Sequence, residues 1–85
     1  MKLLLTHKES GSVVSLQDAV TKALGDSGAG WRETVLEAIT NLMWAHSDLT
    51  RIREIVWESE FPHADPEYKF WMRITSTNLE NRYTL

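Results

Sequence analysis

The chain has no cysteine, only two prolines and four glycines, and no long apolar run. Without cysteine, neither a disulfide framework nor a thiolate zinc site can hold the fold together, so side-chain packing must do so. The leucine run at residues 3–5 is far shorter than the roughly 7–15 apolar residues of a signal peptide or the roughly 20 of a membrane span. We therefore expect a cytoplasmic protein with no membrane segment.

Length and composition are those of one small globular domain. The chain has 85 residues, of which 42% are hydrophobic and 25% are charged. Such a composition is typical of a folded chain rather than a disordered one. Because domains most often contain about 100–150 residues, we expect a single domain that spans residues 1–85.

Charge is unevenly distributed along the chain. Residues 33–67 hold two arginines and eight carboxylates, a net charge of −6, whereas residues 1–32 carry +1 and residues 68–85 carry +2. Proteins that bind duplex nucleic acid usually concentrate basic residues on one surface, so nucleic acid is not the expected partner. The acidic middle is either a solvated surface or a surface kept negative for a protein partner.

The N-terminal third predicts two short strands and a helix. Residues 2–6 form the first strand, residues 7–12 a turn and residues 13–14 a second strand. Ser15 is a suitable N-cap for a helix that ends at Gly25. One apolar stripe at helical spacing supports this helix: Leu16, Ala19, Val20, Ala23 and Leu24.

The acidic middle predicts two further helices after a loop at residues 26–30. The apolar pattern permits one long helix, but Ser47 and Asp48 are good N-cap residues and favour a break. We therefore predict helices at 31–46 and 48–60. Two prolines then predict a loop at 61–66.

The C-terminal third alternates between apolar and polar residues. This pattern predicts a strand at 68–75, a turn at 76–78 and a final strand at 79–85. The expected fold class is α+β: about three short helices in the middle of the chain, packed on a small antiparallel sheet built from the N-terminal and C-terminal strands.

The three histidines do not predict a catalytic or metal site. His46, Ser47 and Asp48 are the residue types of a hydrolase triad, but neighbours in a helix point in different directions. His63 and Asp65 form a weak pair without a second histidine at metal-binding spacing. We predict no catalytic residues, no bound metal and no cofactor.

Carboxylates occur in pairs at i, i+4. Glu33 is paired with Glu37, and Glu54 with Glu58. Acid–base catalysis would need one carboxyl of a pair to be desolvated, yet these pairs lie opposite the apolar stripes. They are compatible with an ordinary wet surface or with an acidic docking surface.

Two of the four tryptophans do not fit the pattern of their predicted elements. Trp31 and Trp57 lie on or beside an apolar stripe, so we expect them to pack on the core. Trp44 lies opposite the apolar side of its helix, and Trp71 falls on the polar face of its predicted strand. Either other segments cover these two rings, or the rings anchor a partner, as exposed tryptophans often do.

The strand at 68–75 also offers a nucleic-acid alternative. Lys69, Trp71 and Arg73 would share one strand face, on which a single-stranded base could stack between cations. No RNP-like signature surrounds them, and the acidic middle of the chain would repel phosphates.

The favoured function is a non-catalytic protein-binding domain. Small acidic domains without cysteine are often inhibitors, immunity proteins, antitoxins or phage-encoded modulators of larger proteins. We expect a partner with a basic surface, steered by charge, and a homodimer through a tryptophan-bearing edge hairpin is an open possibility. The expected partner-binding residues are Trp44, Trp71, Lys69, Arg73, Glu33, Glu37, Asp48, Glu54 and Glu58.

Overall fold

A computed structural model describes residues 3–58 and 65–85, and this part of the chain folds into four helices and three short strands. In chain order these are β1 (Leu4–His7), β2 (Val13–Ser15), α1 (Leu16–Leu24), a 3-10 turn (Ala29–Trp31), α2 (Arg32–Ala45), α3 (Leu49–Trp57), α4 (Pro66–Arg82) and β3 (Tyr83–Thr84). The α+β class is confirmed, with four helices where about three were expected.

The sheet joins the two ends of the chain, as predicted. Its strand order is β2-β1-β3, and both pairings are antiparallel. Leu5 of β1 lies opposite Val14, and His7 lies opposite Tyr83. Because Leu5 and Tyr83 are both buried, the sheet anchors each terminus to the same core.

Helix α1 begins and ends at the capping residues predicted from the sequence. The Ser15 hydroxyl accepts a hydrogen bond from the Asp18 amide at 3.1 Å, which satisfies one of the free donors of the first turn. The helix stops at Gly25, whose φ of 62° favours a residue without a Cβ. Its inward residues, Leu16, Ala19, Val20 and Leu24, are buried.

The break between α2 and α3 is also confirmed. Helix α2 ends at Ala45, and the Asp48 carboxylate accepts from the Thr50 amide at 3.0 Å to cap α3. The restart turns four apolar residues of α3 inward together: Leu49, Ile52, Ile55 and Val56. The predicted helix limit at residue 60 and most of the loop at 61–66 lie outside the described residues.

The strand predicted at 68–75 is wrong, because this segment lies within the 17-residue helix α4. Asp65 caps the helix by accepting from the amides of Glu67 (2.9 Å) and Tyr68 (3.4 Å). Pro66 occupies the first turn, where its missing N–H costs nothing. The predicted turn at 76–78 is also helical, and the predicted strand at 79–85 is reduced to the two residues of β3.

Helix α4 is the central element of the core. It packs against α1, α2 and α3, and Met72 and Leu79 are almost fully buried. Thr75 and Ser76 are buried beside them, so small polar residues take part of the inward face. No helix in the described part of the chain is long and apolar enough to cross a membrane.

Candidate functional site

One side of α2 carries two solvent-exposed carboxylates and, further along the helix, an exposed tryptophan. Glu33, Glu37 and Trp44 are all exposed and lie at i, i+4 and i+11, on the same side of the helix. Val35 and Ile39 lie on the opposite side and are fully buried. We call Glu33, Glu37 and Trp44 the α2 outer face.

Trp44 is the most exposed tryptophan, with 61% of its surface accessible. Large apolar side chains are usually covered in a small domain, and exposed aromatic rings are enriched at interfaces. Within residues 3–58 and 65–85, no hydrogen bond or ring contact holds this indole in place. Of the two tryptophans predicted to be out of phase, Trp44 therefore lies outside the protein's own core.

The carboxylates of the α2 outer face have no cationic neighbour within ion-pair distance among the described residues. Glu37 does lie close enough to α4 to influence Tyr68. Burial raises the pKa of the Tyr68 phenol above its ordinary value, and the negative charge of Glu37 adds to this effect. The Tyr68 ring stacks on Trp31, with 5.6 Å between the ring centroids, so Trp31 packs on the core as predicted.

The predicted acidic residues of α3 are placed differently. Asp48 is exposed but caps the helix, and Glu58 lies 3.9 Å from Arg51. Arg53 pairs across to Glu80 of α4 at 2.8 Å. Two arginines therefore lie close to the carboxylates of this region, and Glu54 is half-buried. Of the predicted acidic docking residues, this leaves Glu33 and Glu37 of α2 as those that are exposed and neither cap a helix nor form an ion pair with a described residue.

Lys69, Trp71 and Arg73 do not form the predicted strand face. On a helix, residues 69 and 73 share a side, whereas residue 71 points more than half a turn away. Trp71 is half-buried, packs on the core, and meets the Phe70 ring edge-on at 5.0 Å. A Cβ added to Gly28 would come within 3.0 Å of Trp71, so the segment between α1 and α2 covers this indole.

Homodimerisation through a tryptophan-bearing edge hairpin lacks its structural basis. The tryptophans of the described chain lie on helices and on the 3-10 turn, and β1, β2 and β3 carry none. The edge strands of the sheet are also only three and two residues long, which gives little backbone for pairing with a second copy.

A second surface, which the sequence did not predict as a unit, lies between α3 and α4. It is a groove of about 420 Å³. The described residues that line it are Trp57, Pro66, Lys69, Phe70, Arg73 and Ile74. We call it the α3–α4 groove.

Trp57 was expected to pack on the core, and that expectation is wrong. The residue is 45% exposed, because it is the last residue of α3 and lies beyond the inward stripe. The indole N–H donates to Thr77 Oγ1 at 3.0 Å, and the Arg73 guanidinium carbon lies 4.8 Å from the ring centroid. The groove was missed because assigning residues 68–75 to a strand separated Lys69 and Arg73 from Trp57.

The residue types that suggested catalysis are not assembled into a site in the described regions. His46 and Asp48 flank the break between two helices, where Asp48 serves as a cap. His7 meets the Tyr83 ring edge-on at 5.3 Å, and His63 lies outside the described residues. Residues 3–58 and 65–85 contain no group of three or more histidines and carboxylates that could hold a metal ion.

Comparison with known proteins gives no match to a family model, to a curated protein or to a solved structure. The geometry and charge of the two surfaces are therefore the available indications of function.

Proposed function

We propose that this protein is a non-catalytic protein-binding domain, an inhibitor or modulator of a larger protein in the cytoplasm, of the kind that immunity proteins, antitoxins and phage proteins exemplify. It docks through the α2 outer face onto a basic surface of its partner. The observation that carries the proposal is the exposed indole of Trp44 on the same side of α2 as Glu33 and Glu37, which form no ion pair with the described residues.

Charge and indole have separate roles in this proposal. The carboxylates of Glu33 and Glu37 attract a basic partner and speed the encounter. The Trp44 ring then supplies apolar area that loses its water in the complex and slows dissociation. Of the remaining predicted residues, Asp48 acts through the cap of α3, and Trp71 supports the fold.

Affinity capture with a matched control variant tests the proposal. The tagged protein, its Trp44→Ala variant and its Val13→Ala variant are each used to capture proteins from lysate of the source organism, followed by quantitative mass spectrometry. Val13 is as exposed as Trp44 and lies on β2, outside both surfaces, so Val13→Ala should capture the same partner as the parent protein. We expect Trp44→Ala to lose the captured partner, because removing an anchor of this kind costs about 2 kcal/mol or more in binding. Equal recovery by the parent protein and Trp44→Ala would refute the docking role of this face.

A further inference from the structure

The α3–α4 groove combines an apolar floor with a cationic rim. Trp57 and Phe70 are 45% and 53% exposed, which makes them two of the larger apolar surfaces that the described chain leaves open to water. Lys69 and Arg73 lie one turn apart on α4, at the border of these rings. An open apolar surface bordered by charge is typical of an interaction site.

The two cations of the rim lack the carboxylate partners that nearby arginines have. Arg51 and Arg53 of α3 pair with acidic side chains, whereas neither Lys69 nor Arg73 forms an ion pair in the described regions. The Nε atom of Arg73 is buried and donates to no acceptor there. Because no carboxylate of the described residues pairs with Lys69 or Arg73, the groove carries positive charge that an anionic ligand can compensate.

The main groups of the groove are already held in position. The indole of Trp57 is fixed by its hydrogen bond to Thr77, and the guanidinium of Arg73 lies over the indole ring. Binding groups that are ordered before the ligand arrives lose less entropy on binding. Tryptophan and arginine are also enriched among the residues that contribute most to the binding energy of interfaces.

We infer that the α3–α4 groove binds an acidic segment of a protein partner, in which an apolar side chain is flanked by carboxylates. The apolar side chain covers Trp57 and Phe70, and the carboxylates pair with Lys69 and Arg73. Charge complementarity selects this occupant, because its carboxylates pair with Lys69 and Arg73, which have no ion pair within residues 3–58 and 65–85. None of the lining residues lies on α2, so this surface is separate from the α2 outer face and prefers the opposite charge.

A defined peptide set tests the groove by NMR. The probes are the acetylated and amidated peptides EDLED, KRLKR and EDSED, titrated into the ¹⁵N-labelled protein. The readouts are the indole N–H resonance of Trp57 and the backbone amides of residues 67–74, with the indole of Trp44 as an internal reference. Lys69→Glu and Phe70→Ser alter the rim and the floor without touching the core, and Lys22→Glu makes the same charge change on the exposed side of α1.

The expected result is that EDLED shifts the groove resonances and leaves the Trp44 indole unchanged. Lys69→Glu replaces attraction with repulsion, so we expect about tenfold weaker binding of EDLED. Phe70→Ser weakens it similarly, Lys22→Glu does not, and EDSED binds more weakly than EDLED because it lacks the apolar side chain.

Several results would overturn the inference. They include no change at Trp57 with millimolar EDLED, an equal response to KRLKR, or unchanged binding in Lys69→Glu. Tighter binding of short oligo-deoxythymidine at the same resonances would assign the groove to nucleic acid instead. Groove resonances that change on dilution of the protein alone, and no longer do so in Lys69→Glu, would assign it to a second copy of the chain.

Discussion

The α2 outer face and the α3–α4 groove each present an exposed tryptophan. They differ in the sign of the neighbouring charges and in whether contacts hold the indole in place. Among the described residues, Trp44 has no hydrogen bond, and the neighbouring carboxylates of Glu33 and Glu37 have no ion pair. Trp57 lies beside Lys69 and Arg73, which form no ion pair with a described residue, and its indole is held by a hydrogen bond and by a guanidinium. The difference teaches that a chain of 85 residues presents two exposed indoles in surroundings of opposite charge, and that only one of the two indoles is held by its neighbours.

Both surfaces have the described form only if α4 is a helix. Substitutions at residues 70 and 72 test this, and one of them has the largest expected effect on the free energy of unfolding. A strand would place Phe70 and Met72 on the same face, whereas the helix buries Met72 and exposes Phe70. We expect Met72→Ala to lower the free energy of unfolding by about 2–5 kcal/mol and Phe70→Ala by about 0.5 kcal/mol or less. Urea denaturation measures both, and equal losses would contradict the helix.

Two glycines test why Trp71 belongs to neither surface. A Cβ at Gly28 would meet the Leu24 carbonyl oxygen at 2.9 Å and the Trp71 ring at 3.0 Å, whereas a Cβ at Gly30 would meet nothing within 4 Å. We expect Gly28→Ala to lower the free energy of unfolding by about 1–3 kcal/mol and Gly30→Ala to leave it nearly unchanged. Thermal denaturation followed by circular dichroism compares them. A harmless Gly28→Ala would mean that Trp71 is not covered as described.

Substitution of each exposed tryptophan by phenylalanine measures how much the contacts of its indole stabilise the fold. Trp57→Phe removes the indole N–H that donates to Thr77 and weakens the contact with Arg73. We expect a loss of about 1 kcal/mol in the free energy of unfolding for Trp57→Phe and a change within about 0.5 kcal/mol for Trp44→Phe. Chemical denaturation of both variants checks this. Equal effects would remove the distinction between a fixed and a free indole.

The smallest expected effect is on stability at alkaline pH, and it involves Tyr68 of α4, close to Glu37 of the α2 outer face. Because burial and Glu37 raise the pKa of Tyr68 above its unfolded value of about 10, the unfolded chain loses this proton at lower pH than the folded one. Stability is therefore intact below about pH 10 and falls as the pH rises through the folded pKa. Tyr68→Phe should reduce this alkaline loss in urea titrations between about pH 8 and 11. An unaltered alkaline loss would show that Tyr68 does not cause it.

The sequence predicted the elements whose signals are local and unambiguous. Ser15 and Gly25 bound α1 by capping chemistry, and Asp48 places the break between α2 and α3. Each signal depends on hydrogen bonds within a few residues, so no knowledge of distant contacts was needed.

Helix α4 was not predicted because its two signals conflict. Alternation from Tyr68 to Ile74 favours a strand, and the inward Thr75 and Ser76 interrupt the apolar stripe that would indicate a helix. The segment Asp65-Pro66-Glu67 is nevertheless a helix start, with an N-cap, a first-turn proline and an acidic residue. Tertiary packing decides the outcome, because the helix buries Met72 and Leu79 in the core.

The candidate surfaces were predictable only where they depend on local sequence. Helical spacing alone places the carboxylates of α2 and Trp44 on one side of the helix, and the sequence therefore predicted the α2 outer face. The groove requires the packing of α3 on α4, which a local pattern does not contain.

The most direct measurement of the account is the salt dependence of binding to the captured partner. Calorimetry would compare the parent protein with the Glu33→Gln/Glu37→Gln double variant at ionic strengths from about 50 to 500 mM, a range over which salt screens exposed charges strongly. We predict that added salt weakens binding of the parent protein and that the double variant binds more weakly at low salt and responds less to salt. An affinity that is independent of ionic strength, or equal for the two proteins, would contradict a basic partner on the α2 outer face.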